Sequence, residues 1–420
     1  MNQNINFDIQ QWAKEVEAQI APAVQRIEQI VEQNQWKVLE AFQKHRVSDF
    51  HFQDSTGYGY NDIGRETLDA VYADVFGAEA AIVRPHFVSG THAIATALFG
   101  VLRPGERMLS VTGTPYDTLC NVIGVNGGGS GTLADWKIGY DEVSLLPDGS
   151  VDWEGVERAL KPETKVAAIQ RSRGYSTRRS FSVDEIAEMV RRLKQLRPDL
   201  VIFVDNCYGE FAETKEPTDV GADLIAGSLI KNPGGGIVVT GGYIAGKKEW
   251  VELASHRLTA PGLGNELGAM LGTTRSIFQG LFLAPLIVGQ ALRGSVFAAA
   301  MFEKAGLKTD PLWNDPRTDL IQAVHFGDES ALIDFVRSIQ AASAIDAHVV
   351  PEPSEMPGYD HPVIMAAGTF MQGGSLELTA DAPIRPPYTA FMQGGLTYAH
   401  VKYAVMKAME RYVSRMNPQF

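Results

Sequence analysis

From Asp8 to about residue 43, apolar positions fall on one face at helical spacing: Trp12, Val16 and Ile20, then Val24, Ile27, Val31 and Leu39. Asp8 stands where an N-cap belongs, with Gln11 three residues on. Pro22 is expected to break or restart the helix. The polar face is not rich in Lys or Arg, so the segment reads as an amphipathic arm packed on protein rather than a membrane-surface helix. From Gly57 the pattern changes. The short apolar runs RMLSVTG, KVAAIQ, LVIFVD, DLIAGS and GIVVTGGYIAG read as strands of a mostly buried sheet. Between them THAIATALFGVL and SVDEIAEMVRRLKQL have helical periodicity, the second opening on a Ser182/Glu185 capping box. Alternation of this kind predicts an α/β layer fold around a mainly parallel central sheet.

The run from Gly280 to Phe302, GLFLAPLIVGQALRGSVFAAAMF, is apolar enough to suggest a membrane span. Pro285, Gln290 and Arg293 lie inside it, and an arginine in lipid is costly. A helix entered near Pro285 and buried on all sides by protein is the expectation, and with it no membrane association. Beyond it, LIQAVHFGDESALIDFVRSIQ and LTYAHVKYAVMKAMERYV read as helices, with strand-like PVIMAAGTF and GSLELTA between them. This is a smaller α+β domain. The expected organisation is an N-terminal helical arm at 1–56, a large domain at 57–285, and a small domain at 286–420 that begins with the long linking helix.

Composition narrows the class. A chain of 420 residues, 45% hydrophobic and 21% charged, is that of a folded protein of two or three domains. Its net charge of −13 argues against a nucleic-acid partner, which needs clustered Lys and Arg. The N-terminal residues MNQNINFDIQQW lack the basic and apolar regions of a secretory signal. Two cysteines, Cys120 and Cys207, cannot make a disulfide framework, so a cytoplasmic location is expected.

Chemistry enters at LVIFVDNCYGEF. Five apolar residues precede Asp205, which sets a carboxylate at the C-terminal end of a buried strand, where open α/β sheets bind ligands. Alone, such an Asp reads as a turn cap. Twenty-six residues on, GADLIAGSLIKNPGGG ends another apolar strand with Ser228 and Lys231 before a glycine-rich loop. A lysine there is poorly explained as a solvated charge. Asp and Lys at neighbouring strand ends are what pyridoxal 5′-phosphate chemistry requires. The lysine amine condenses with the cofactor aldehyde, and the carboxylate keeps the pyridine nitrogen protonated so that the ring accepts electrons. Ser89, Gly90 and Thr91 in VSGTHAIATAL open a helix whose amides suit the phosphate, and Ser228 offers a hydroxyl to the same group. His86, His92 and His325 show no metal spacing, and Cys207 reads as a small core residue. GVNGGGSGT lacks the Lys-Ser/Thr of a P-loop and GYGYNDIG lacks dinucleotide-binding spacing, so both read as turns.

In this order and spacing, SGTHA, GTPYDTL, VDNCYGEF and GADLIAGSLIK resemble the PLP-dependent transferase fold (fold type I) as used in Cys/Met metabolism, the family of the cystathionine lyases and methionine γ-lyase. YGYNDIGRETLD, QRSRGYSTR and SLIKNPGGGIVVTGGYIAG are similar to its bacterial methionine γ-lyase-like or aluminium-resistance subgroup. The resemblance runs from about Gly57 to the C-terminus and includes APLIVGQALRGSVF. It implies that Tyr116 stacks on the pyridine ring and that Lys231 serves as base after release from the cofactor. It implies further that Tyr58 or Tyr60, with Arg65, reaches the phosphate from an adjacent subunit, although the usual Tyr-x-Arg spacing is not kept. The site would then be shared across an obligate homodimer, or a dimer of dimers. Arg385 is the implied partner of the substrate carboxylate, with Arg317 the weaker rival. Arg171, Ser172, Arg173 and Tyr175 occupy the segment that faces the cofactor 3′-oxygen, without the usual Asn, so the donor stays open. The implied activity is a carbon–sulfur lyase turning cystathionine, methionine or cysteine into 2-oxo acid, ammonia and thiol, by β- or γ-elimination. The alternatives are an aminotransferase, aldolase or sulfhydrylase of the same fold, or a non-catalytic resistance or regulatory protein.

Overall fold

The computed structural model describes residues 8–125, 129–356 and 361–416. The first seven residues and residues 126–128 of GVNGGGSGT lie outside that set. The chain forms two compact units, one spanning Glu32–Pro285, the other joining the first helix through Val31 to the chain from Leu286 onward. The expected N-terminal arm is therefore not a unit of its own. Its helix, α1 (Ile9–Lys44), runs unbroken through Pro22, against expectation. A proline inside a helix costs about 3 kcal/mol. Burial of Ala13, Val16, Ile20, Ala23 and Ile27 along one stripe on either side of it outweighs that cost.

The larger unit continues with α2 (Ile63–Val75), β1 (Ala80–Arg84), α3 (Gly90–Val101), β2 (Arg107–Ser110), α4 (Asp117–Ile123) and β3 (Gly139–Glu142). Then follow α5 (Trp153–Ala159), β4 (Thr164–Gln170), α6 (Val183–Leu196), β5 (Val201–Asp205), β6 (Leu224–Ser228), β7 (Gly242–Gly246) and α7 (Lys248–Leu258). The seven strands form one sheet in the order β1-β7-β6-β5-β4-β2-β3. β7 runs against the other six strands, antiparallel to both β1 and β6; the β6-β5, β5-β4, β4-β2 and β2-β3 pairs are parallel. Side chains of Ile82, Val166, Phe203, Leu224 and Ile244 on one face of the sheet pack with Ile94 and Leu98 of α3 and Val251 of α7. The Ser182/Glu185 capping box opens α6 as the sequence indicates. Two departures stand out. Edge strand β3, GYDE, has no apolar run to reveal it. GIVVT is not strand: left-handed backbone at Gly235, Gly236 and Gly241 delays β7 until Gly242.

The helix α8 (Thr274–Lys304) begins eleven residues before Pro285, which lies in its interior. Burial covers 67% of its most apolar stretch, which marks a core helix, yet Phe282 and Leu286 stay 40% and 46% exposed, so it is not packed on all sides. The smaller unit holds β8 (Lys308–Asp310), β9 (Gln322–His325), α9 (Glu329–Ala341), β10 (Val363–Ala366), β11 (Thr379–Pro383), β12 (Thr389–Gln393) and α10 (Tyr398–Met416). Its five strands pair in the order β10-β11-β12-β9-β8, antiparallel throughout. LIQAVHF is thus strand β9 rather than the start of a helix. Held between β12 and β8 and mostly buried, it is an apolar run that periodicity cannot tell from a helix.

Candidate active site

Parallel pairing of β4, β5 and β6 brings their C-terminal ends level. Gln170 lies opposite Asp205, Asp205 opposite Ala226, and Ser228 follows two residues later. The apolar run that makes β5 a central strand thereby buries Asp205, 5% exposed, where its carboxylate accepts from the amide of Cys207 at 3.2 Å. Burial pushes that carboxyl up, against the pull of Lys231. Lys231 enters the 3₁₀ turn Asn232–Gly234, and its Nζ lies 4.0 Å from the centroid of the Tyr208 ring. Burial opposes its charge, but the polar surroundings of Cys207, Tyr208, Asp205 and Tyr116 hold it well above the ordinary lysine range.

Helix α3 meets this cluster at its N-terminus. Ser89 caps it, accepting from the amide of His92 at 3.1 Å, while the amides of Gly90 and Thr91 have no acceptor within the helix. A Cβ on Gly90 would sit 3.1 Å from Ser228 Cβ and 3.3 Å from Cys207 Sγ, so the glycine sets how closely α3 approaches the end of β6. The Ser228 hydroxyl is buried and, among the described residues, has no hydrogen-bond partner. Thr91 Oγ1 lies 3.1 Å from the Tyr116 hydroxyl, and the Tyr116 amide donates to Gln170 Oε1 at 3.0 Å. Burial, then Asp205 and Cys207, push that hydroxyl far up. Ser89, Gly90, Thr91, Tyr116, Asp205, Ser228 and Lys231 thus belong to one neighbourhood. An amine, a carboxyl, an aromatic ring, free helix-start amides and an orphaned hydroxyl are the donor set that pyridoxal 5′-phosphate needs.

Other expected residues lie elsewhere. Tyr58 and Tyr60 are 71% and 60% exposed, their ring centroids 5.6 Å apart. Arg65 is buried and committed to backbone: Nη1 donates to Gly59 O at 2.7 Å and Gly268 O at 3.1 Å, and Nη2 to Glu266 O at 3.3 Å. None of these partners belongs to the Lys231 cluster. Arg385, in the smaller unit, is exposed on the turn between β11 and β12. Arg317 is enclosed with Gln322 and the Leu312 carbonyl, and burial brings it down to about 10, so it is not available as a fork for a substrate. Arg171 is fully buried and pairs with Glu213 at 2.8 Å and Glu216 at 3.3 Å. Arg173 donates to the carbonyls of Ser176 and Thr177.

The structure adds residues that sequence reasoning missed. Gln170 ends a buried strand as Asp205 does, so the same strand-end signal could have found it. Arg178 donates to the carbonyls of Gln170 and Ser172 and lies close enough to Asp205 to favour its charged form. Glu210 is buried beside Tyr243, whose hydroxyl donates to its Oε1 at 2.8 Å, while Oε2 has no partner among the described residues. Burial pushes this carboxyl up to about 8. Tyr208 and Asn232 carry no local signal.

The profile of the family described as Methionine gamma-lyase matches residues 9–413. The chain belongs to the methionine γ-lyase family. YnbB of Bacillus subtilis, an uncharacterised protein, is 56% identical over 408 residues, 97% of either chain. A carbon–sulfur lyase involved in aluminium resistance from Clostridium novyi is 50% identical, with a TM-score of 0.92 over 96% of this chain and 95% of that one. At the level of fold alone, the pyridoxal-5′-phosphate-dependent protein YhfS of Escherichia coli superposes with a TM-score of 0.62 at 16% identity, covering 92% and 96%. This methionine γ-lyase family member therefore has the fold type I architecture. Membership implies pyridoxal 5′-phosphate, and the Lys231 cluster fits it.

Proposed function

We propose that this methionine γ-lyase family member is a pyridoxal 5′-phosphate-dependent carbon–sulfur lyase. Its substrate would be a sulfur amino acid such as cystathionine, methionine or cysteine, and its products 2-oxo acid, ammonia and thiol. The observation that carries the reading is Lys231 beside buried Asp205, with the orphaned Ser228 hydroxyl and the start of α3 at the same strand ends. The named activity of the Clostridium novyi relative supports it.

In this reading Ser89, Gly90, Thr91 and Ser228 hold the phosphate by amides and hydroxyls. Tyr116 would lie against the ring and Asp205 would pair with its nitrogen. The bound cofactor supplies an electron sink for the substrate carbon. Lys231 provides the attaching amine and, once free, takes the α-proton at Nζ. Arg385 is assigned to the substrate carboxylate, and Tyr58 or Tyr60 with Arg65 to a neighbouring copy's phosphate. The working form is then a cytoplasmic homodimer or dimer of dimers.

Borohydride reduction of the purified protein loaded with pyridoxal 5′-phosphate, followed by peptide mass spectrometry, tests the assignment. The pyridoxyl group is expected on Lys231 and absent from Lys231→Ala; modification of another lysine would sink it. With L-cystathionine, L-methionine or L-cysteine, 2-oxo acid and free thiol should appear in equal amounts. Amino transfer to an added 2-oxo acid without thiol release would instead mark an aminotransferase.

A further inference from the structure

The segment after β5 carries a ring that the reading above leaves without a role. Tyr208 has φ +71°, a left-handed backbone that a bulky residue rarely adopts without a surrounding reason. Its carbonyl accepts from Asn232 Nδ2 at 3.0 Å, and the same nitrogen donates to the Glu210 carbonyl at 2.9 Å. Asn232 is the residue next to Lys231, so one buried amide ties the turn that carries the ring to the loop that carries the amine. The result is a lysine nitrogen 4.0 Å from the ring centroid. That distance is well inside the reach of a cation on an aromatic face, about 6 Å.

We propose that Tyr208 is a positioning residue for Lys231: its ring face is the resting place of the lysine ammonium in the cofactor-free protein and after the released amine has taken a proton, and Asn232 holds the two in register. The inference rests on Lys231 being the cofactor lysine. A long lysine chain freed from a covalent bond would otherwise sample many rotamers, at an entropic cost each time it must return. The ring defines one position, and its quadrupole favours ammonium over amine there.

The groups that face Lys231 are Asp205 from β5, Cys207, Tyr208 and Glu210 from the turn after it, and Tyr116 from the segment before α4. Burial raises the Cys207 thiol and the Tyr116 hydroxyl far above neutrality. Around pH 7 neither therefore carries charge, and Glu210, held up to about 8, joins Asp205 and the Tyr208 ring in favouring the ammonium only as pH rises through that value, in wild type and variants alike.

Removing the ring should make the amine easier to deprotonate. Condensation with an aldehyde needs the neutral amine, so the pH at which half-maximal condensation rate is reached should fall by about one unit. The experiment strips the full-length protein of cofactor, refills it with pyridoxal 5′-phosphate across a pH series, and traps the bond with borohydride for quantification at Lys231. Tyr208→Leu is expected to move the midpoint down by about one unit, with roughly tenfold faster trapping well below it. Tyr208→Phe, which keeps the ring face, should stay at the wild-type midpoint. Tyr208→Met replaces the leucine variant if that fails to fold, with the same expectation. Trapping at Lys231 with coincident profiles for wild type and the ringless variant overturns the role of Tyr208 alone. So does a Phe variant that follows the ringless one. Wild-type protein that traps no cofactor at Lys231 overturns the lysine assignment and this inference together.

Discussion

Glu210→Gln should make the protein more resistant to denaturation as pH rises, because it replaces a buried acid that is forced to ionise. Glu210 is fully buried. Its Oε1 accepts from the Tyr243 hydroxyl at 2.8 Å, and its Oε2 has no partner among the described residues. Burial lifts its folded-state pKa from 4.5 to about 8, with Glu216 adding to the shift and Tyr243 and Lys231 opposing it. Between those two values the folded chain holds a proton that the unfolded chain has lost, so wild-type stability falls as pH rises. The contribution is fully present below pH 4.5 and is lost as pH climbs through about 8. The slope is roughly 1.4 kcal/mol per pH unit, so the whole window amounts to about 5 kcal/mol. Glutamine has nearly the shape and the donor pattern of the protonated acid, so at low pH the two proteins should match. The assay is the urea midpoint of wild type and variant at intervals from pH 4.5 to 8, where the titrations common to both cancel. Midpoints that diverge in favour of the variant with rising pH are expected. Parallel curves across that range would refute a buried, proton-holding Glu210.

Three further outcomes follow from the same structure. Arg171→Met should destabilise by about 3–5 kcal/mol in urea unfolding, since it strands the buried Glu216 carboxylate and the Glu213 carboxylate with which Arg171 pairs. Gly90→Ala forces a methyl to within 3.1 Å of Ser228 Cβ and 3.3 Å of Cys207 Sγ. It should cost about 1–3 kcal/mol in stability and raise the Kd for pyridoxal 5′-phosphate in an equilibrium titration; an unchanged Kd would remove the junction of α3 and β6 from the phosphate site. Pro22→Ala, at an exposed position inside α1, should stabilise by up to about 3 kcal/mol and be seen as a higher Tm in calorimetry.

Much of the large unit was legible because its signals are local. Five apolar residues ending in Asp205 can hardly be other than a strand buried on both faces, and β5 is one, buried at every position. Ser182 and Glu185 announce the start of α6 through bonds that span three residues. Where a local pattern served two structures equally, reading failed. LIQAVHF suits a buried helix as well as strand β9, and only its neighbours β8 and β12 decide. Pro22 argues locally for a break, and the apolar stripe on both sides of it argues more strongly for continuity.

The candidate site divides along the same line. Residue types and spacing alone single out Asp205, Ser228 and Lys231, since a carboxylate and an amine at the ends of apolar strands have few other uses. That Gly90 leaves no room for a side chain beside Ser228, that Asn232 ties Lys231 to the Tyr208 turn, and that Arg171 serves Glu213 and Glu216 all depend on residues far apart in the chain. Local sequence sets backbone preference and burial through interactions reaching three or four residues. Which polar groups lose their water together, and which partner each then finds, is decided only when distant segments close on one another.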